Sequence, residues 1–84
     1  MEQMTRASIV ATLRKQNPRA QEASLFIYAD SLLEYREAQA NIAKNGAIVA
    51  HPKTGAPIAN PYVSVRDSAG ARMSKLDLKA VGLW

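Results

Sequence analysis

The sequence predicts a mainly α fold: a long antiparallel helical hairpin, with a short N-terminal helix ahead of it and a small β-hairpin between the two long helices. Three observations carry this. Two Asn-Pro pairs, Asn17-Pro18 and Asn60-Pro61, punctuate the chain. Leu25, Tyr28, Leu32, Tyr35 and Ile42 recur at alternating steps of three and four, with Gln39 in the remaining slot, which is a helical seam. Between the second helix and the second Asn-Pro pair, two short apolar runs flank His51-Pro52-Lys53-Thr54-Gly55, a turn sequence.

The elements follow in order. Residues 1–16 form the N-terminal region, with a helix from roughly Thr5 to Gln16 whose apolar residues are Ile9, Val10 and Leu13. It must stop by Gln16, because the residue before a proline is disfavoured in the helical region. Asn is a favoured N-cap and Pro suits the first helical position, so each Asn-Pro pair reads as a helix start. The second helix is therefore expected over 18–45, ending at Gly46. Beside its seam runs a second apolar stripe, Phe26, Ala29, Leu33, Ala40 and Ala43, while Asp30, Glu34, Glu37 and Asn41 fill the remaining face. A β-hairpin or ordered loop is expected over 47–59, with Pro57 confined to an edge. The third helix is expected over 61–81, with Tyr62, Val65, Ala69, Met73, Leu76, Ala80 and Leu83 on its apolar face. Ser68, Arg72, Lys75 and Lys79 lie opposite, and Gly70 marks a kink or a close helix contact.

These helix lengths imply assembly. Twenty-eight residues of helix span about 42 Å, whereas a globule of this chain length is about 30 Å across. The third helix, about 31 Å long, covers one stripe of the second helix. The other stripe needs the first helix or another subunit, and the first helix is too short. A homo-oligomer joined through Leu25, Tyr28, Leu32, Tyr35 and Ile42 is the expectation, and an extended monomer with a bent helix is the alternative.

Composition narrows the chemistry. The 84 residues form one domain, with no cysteine and one histidine, which excludes disulfide scaffolds, zinc-thiolate sites and cysteine nucleophiles. No catalytic residues, metal or cofactor are expected. No run reaches the roughly 18–20 apolar residues of a membrane span, and no signal peptide opens the chain, so a cytoplasmic location is expected. The net charge is +4, and it is unevenly placed. Residues 1–20 carry four basic and one acidic residue, residues 21–45 two and four, and residues 46–84 five and two. Arg6, Arg14, Lys15, Arg19 and Lys53 are the candidate DNA contacts, because clustered cations release counterions from phosphates. Asp30, Glu34 and Glu37 read as a solvated strip or as partners for a neighbour's basic face. Tyr28 and Tyr35 read as packing residues, and His51 as a turn residue.

From about Ser24 to Leu83 the chain resembles the phage terminase small-subunit family. The match rests on Tyr28, Glu34-Tyr35-Arg36-Glu37-Ala38, Gly46-Ala47-Ile48-Val49, Pro52-Lys53-Thr54-Gly55, Asn60-Pro61, Met73 and Val81-Gly82-Leu83, in that order and spacing. The resemblance implies a non-enzymatic packaging component that forms a homo-oligomeric ring, recognises double-stranded phage DNA and regulates the large terminase subunit, an ATPase and nuclease, in the host cell cytoplasm. The absence of a phosphate-binding Gly-rich loop agrees. The alternatives are a small phage or plasmid DNA-binding transcriptional regulator, which needs a recognition helix after a short turn, and a purely structural helical adaptor.

Overall fold

The computed structural model describes residues 4–84; residues 1–3, part of the expected N-terminal region, lie outside it. The described chain is mainly helical with one small antiparallel sheet. Its elements are α1 (Arg6–Gln16), α2 (Glu22–Asn45), β1 (Ile48–Ala50), β2 (Pro57–Ala59) and α3 (Pro61–Leu76).

α1 opens on a capping box. Thr5 Oγ1 accepts from the Ser8 backbone N–H, and Ser8 Oγ accepts from the Thr5 backbone N–H, which satisfies two donors left unpaired at the helix start. Asn60 caps α3 in the expected way: its Oδ1 accepts from the Tyr62 N–H at 3.0 Å and Pro61 takes the first position. Asn60 is buried, and its Nδ2 also donates to Asn41 Oδ1 and to the Gly46 carbonyl. One side chain thus joins the end of α2 to the start of α3. Gly46 ends α2 at φ 89°, a value that disfavours any residue with a Cβ.

Two boundaries differ from the sequence expectation. α2 begins at Glu22 rather than Pro18. Asn17 does not cap it, because its carboxamide is engaged elsewhere: Nδ2 donates to the carbonyls of Leu13 and Lys79, and Oδ1 accepts from the Lys79 N–H. Residues 18–21 form a turn, closed by the Ala20 N–H on the Asn17 carbonyl. α3 ends at Leu76 rather than near Val81, because Asp77 takes a left-handed conformation (φ 51°, ψ 44°), which Asp tolerates better than most residues. Residues 77–84 then form a non-helical strap. Gln16 Nε2 donates to the Val81 carbonyl while its Oε1 accepts from the Val81 N–H, so Gln16 and Asn17 each grip one strap residue by both backbone groups.

α2 and α3 run in opposite directions against each other: Asn41 meets Asn60, Gln39 meets Arg66, Tyr35 approaches Gly70, and Ser31 and Glu34 meet Arg72. The core is Ile9, Val10 and Leu13 of α1, Leu25, Tyr28, Ala29 and Leu32 of α2, Met73 of α3 and Leu83 of the strap. α1 and the strap thus cover the N-terminal half of α2. The β-hairpin pairs Ile48 with Ala59, Val49 with Ile58 and Ala50 with Pro57, and both its strands are edges. Its loop is held by His51, whose Nδ1 accepts from the backbone N–H groups of Lys53 and Thr54. The chain is elongated, with extents of 50 × 30 × 17 Å and a radius of gyration of 15.3 Å, against about 12 Å for a globule of this length.

Two expected outcomes test these joints. Asn60→Ala removes a cap and strands the part-buried Gly46 carbonyl, and chemical denaturation should register a loss of about 2 kcal/mol; a change below about 0.5 kcal/mol would contradict the junction role. Asn17→Ala should raise hydrogen exchange of the Lys79 amide by about tenfold, because the bond that protects it is gone. The Leu32 amide should be much less affected, and equal acceleration at both sites would mean that the strap is not a separate opening unit.

Candidate nucleic-acid interface

The five cations expected to contact DNA separate into three groups. Arg6 forms a two-pronged ion pair with Asp30, Nε to Oδ1 at 2.7 Å and Nη2 to Oδ2 at 3.2 Å, and its guanidinium sits 4.5 Å over the Phe26 ring. Arg14 holds both Glu22 carboxylate oxygens, at 2.8 and 3.0 Å. Both arginines thus join α1 to α2, and each has its charge balanced within the subunit. The pairs are half exposed, so each is worth at most about 1 kcal/mol. Their main effect on a phosphate is to lower the local positive potential.

Lys15 and Arg19 form the second group. Both are exposed, and neither has an ion pair among the described residues. Asn17 lies between them in sequence, and its grip on both backbone groups of Lys79 brings that residue to the same end of the molecule. Lys75, also exposed and without an ion pair among the described residues, lies in the last turn of α3, four residues before Lys79. The nearest acid in sequence to these lysines is Asp77, between them. Lys15, Arg19 and Lys79, with Lys75 four residues before Lys79, make a cationic end from α1, the turn after it and the strap. From sequence, Lys75 and Lys79 lie on the polar face of a continuous helix, which reads as solvated or as a contact for DNA or the large subunit. Lys79 is instead on the strap, and the contact that places it spans 62 residues.

Lys53 stands apart. It is exposed in the hairpin loop that follows α2, whereas Lys15 and Arg19 precede α2, a helix about 36 Å long.

The acidic strip is largely used inside the subunit. Asp30 pairs with Arg6, and Glu34 accepts from Arg72 Nη2 at 2.7 Å while Arg72 Nε donates to the buried Ser31 hydroxyl. Glu37 alone of the three is without an ion pair among the described residues. The expected oligomer seam is also placed differently. Leu25, Tyr28 and Leu32 are at most 5% exposed within the single subunit and have almost no surface for a neighbour. Tyr35 and Ile42 are half-buried. The physical reason is that α1, α3 and the strap close over this seam: the Tyr28 hydroxyl accepts from Trp84 Nε1 at 3.2 Å, and the Tyr35 ring meets Trp84 edge-on at 5.1 Å between centroids.

Among the described residues no three His, Asp or Glu side chains converge as a metal site requires, and no helix is long and apolar enough to cross a membrane. The arrangement is suited to binding a polyanion by charge, with carboxamide clamps fixing where the cations stand.

No curated protein and no solved structure matches the chain. A family model described as phage terminase, small subunit, matches residues 4–82, nearly the whole sequence. The order of motifs, the three helices with their intervening hairpin, and this match agree, and the chain belongs to the phage terminase small-subunit family.

Proposed function

We propose that this chain is the DNA-recognition and regulatory component of a phage packaging motor. It assembles with copies of itself into a ring, binds double-stranded phage DNA, and delivers it to the large terminase ATPase and nuclease in the host cytoplasm, with no catalytic step of its own. The family match over residues 4–82 carries this reading.

The charge distribution supports it. Arg6, Arg14, Arg66 and Arg72 are balanced by Asp30, Glu22, Asp67 and Glu34, so the outward charge rests mainly on other residues, with Lys15, Arg19, Lys75 and Lys79 toward one end. A few cations per subunit bind phosphate weakly, and a ring that repeats them turns weak contacts into useful avidity. The repressor alternative draws no comparable support. The helix after the first turn carries Glu22 and Asp30 on exposed positions near its start, where a recognition helix would meet the bases.

The test is a salt titration of DNA binding. Each of Lys15→Gln, Arg19→Gln and Lys79→Gln should weaken binding similarly across sequences and lower the slope of log affinity against log salt by about 0.9 per phosphate contact removed. Arg6→Gln should change DNA affinity less than any of these, since its charge is already balanced. If the triple variant binds as tightly as the wild type at low salt, the cationic end is not the DNA surface.

A further inference from the structure

The second apolar stripe of α2 is covered over only part of its length. Phe26, Ala29 and Leu33 pack with α1, whose Ile9, Val10 and Leu13 are all buried. α1 has 11 residues, about 16 Å, against about 36 Å for the 24 residues of α2. The cover ends before Ala40 and Ala43, both exposed. There the surface forms a groove of about 330 Å³ lined by Tyr35, Arg36, Gln39, Ala40, Ala43 and Trp84. Trp84, its largest wall, is 63% exposed.

The groove has fixed walls. Trp84 Nε1 donates to the Tyr28 hydroxyl, its ring meets Tyr35 edge-on, and Arg36 Nη1 reaches the Leu83 carbonyl at 3.4 Å. Leu83 itself is buried in the core and anchors the strap from beneath. A tryptophan held in place but left in water is the side chain that most often dominates an interface, because its ordering cost has already been met in the free subunit. Ala40 and Ala43 carry only methyl groups, so a helix or strap can approach the α2 backbone closely.

We propose that this groove is the contact surface for a second copy of the chain, with Trp84 as its anchor and Ala40 and Ala43 as its floor. The inference rests on the self-assembly in the proposed function and names the surface that performs it. Surface area argues for a copy of the chain as the occupant. The subunit exposes 5980 Å², whereas a folded monomer of 9.1 kDa exposes about 4,900 Å². The excess, about 1,100 Å², is of the size that one partner buries in a stable protein interface, about 800 Å². Charge agrees. Arg36, which lines the groove, and Glu37, next to it in sequence, have no ion pair among the described residues, and open charges of both signs at one level of α2 suit pairing between identical subunits.

The experiment is light scattering behind a sizing column over a range of concentrations, on wild type, Ala40→Glu and Trp84→Ala. Glutamate favours helix and position 40 is exposed, so the fold should persist, which far-UV circular dichroism checks; Trp84→Ala tests the same surface without adding a charge. The expected result is a wild-type oligomer and at least a tenfold rise in the concentration for half-assembly in each folded variant. A wild type that stays monomeric at high concentration would remove the self-assembly reading itself. A wild-type oligomer with both variants assembling equally well would overturn only the assignment of this groove. Unchanged assembly with loss of large-subunit co-purification would give the groove to that partner and overturn the inference in the same way.

Discussion

The structure is organised around one mismatch: α2 is longer than anything the chain has to lay beside it. Its 24 residues present apolar side chains on two stripes, and a helix hydrophobic on more than one face needs more than one neighbour. α3, with 16 residues, takes part of the seam, while α1 and the strap close over the N-terminal half. This explains why the core gathers around Leu25, Tyr28, Ala29 and Leu32 and not along the whole helix. Beyond Leu33 the only fully covered apolar residue on α2 is Ala38. The elongated outline and the excess of exposed surface are two expressions of the same deficit.

Polar contacts, not apolar ones, decide where the short elements stop. Asn17, Gln16 and Asn60 each use a carboxamide as donor and acceptor together, and each ties backbone groups distant in sequence. A carboxamide suits this role because it meets a backbone amide's donor and acceptor with its own acceptor and donor. No buried side-chain polar atom among the described residues lacks a partner, so the thin core is not weakened by stranded polar groups. Each bond contributes only about 1 kcal/mol, but that scale is significant where total stability is about 5–15 kcal/mol.

Much of this was legible in the sequence, and the failures have a common cause. The spacing from Leu25 to Ile42 gives α2, the Asn60-Pro61 pair gives the start of α3, and Gly46 gives the end of α2, because each signal acts within one helical turn. Asn17-Pro18 carries the same local signal as Asn60-Pro61, yet it is not a cap, because Lys79 competes for its side chain from 62 residues away. The apolar rhythm through Ala80 and Leu83 suggests a longer α3. Those residues do pack against the core, but from a strap and not from a helix. The candidate site suffered similarly. Arg6 and Arg14 look like free cations in sequence and are balanced by Asp30 and Glu22, whereas Lys79 looks peripheral and joins Lys15 and Arg19. Local pattern identifies an element; which distant group takes a side chain's hydrogen bonds or charge is a tertiary fact.

The strap connects the two surfaces assigned above. Lys79 stands at the cationic end and Trp84 at the groove, five residues apart on one segment whose conformation is held at Lys79, Val81, Leu83 and Trp84. Because the free subunit already holds the strap at these points, a neighbour on Trp84 and a phosphate at Lys79, bound as proposed, would both meet one preordered segment. A change that loosens the strap would then weaken both proposed contacts together, since one segment holds Lys79 and Trp84. The segment that completes the core would thus take part in both proposed contacts.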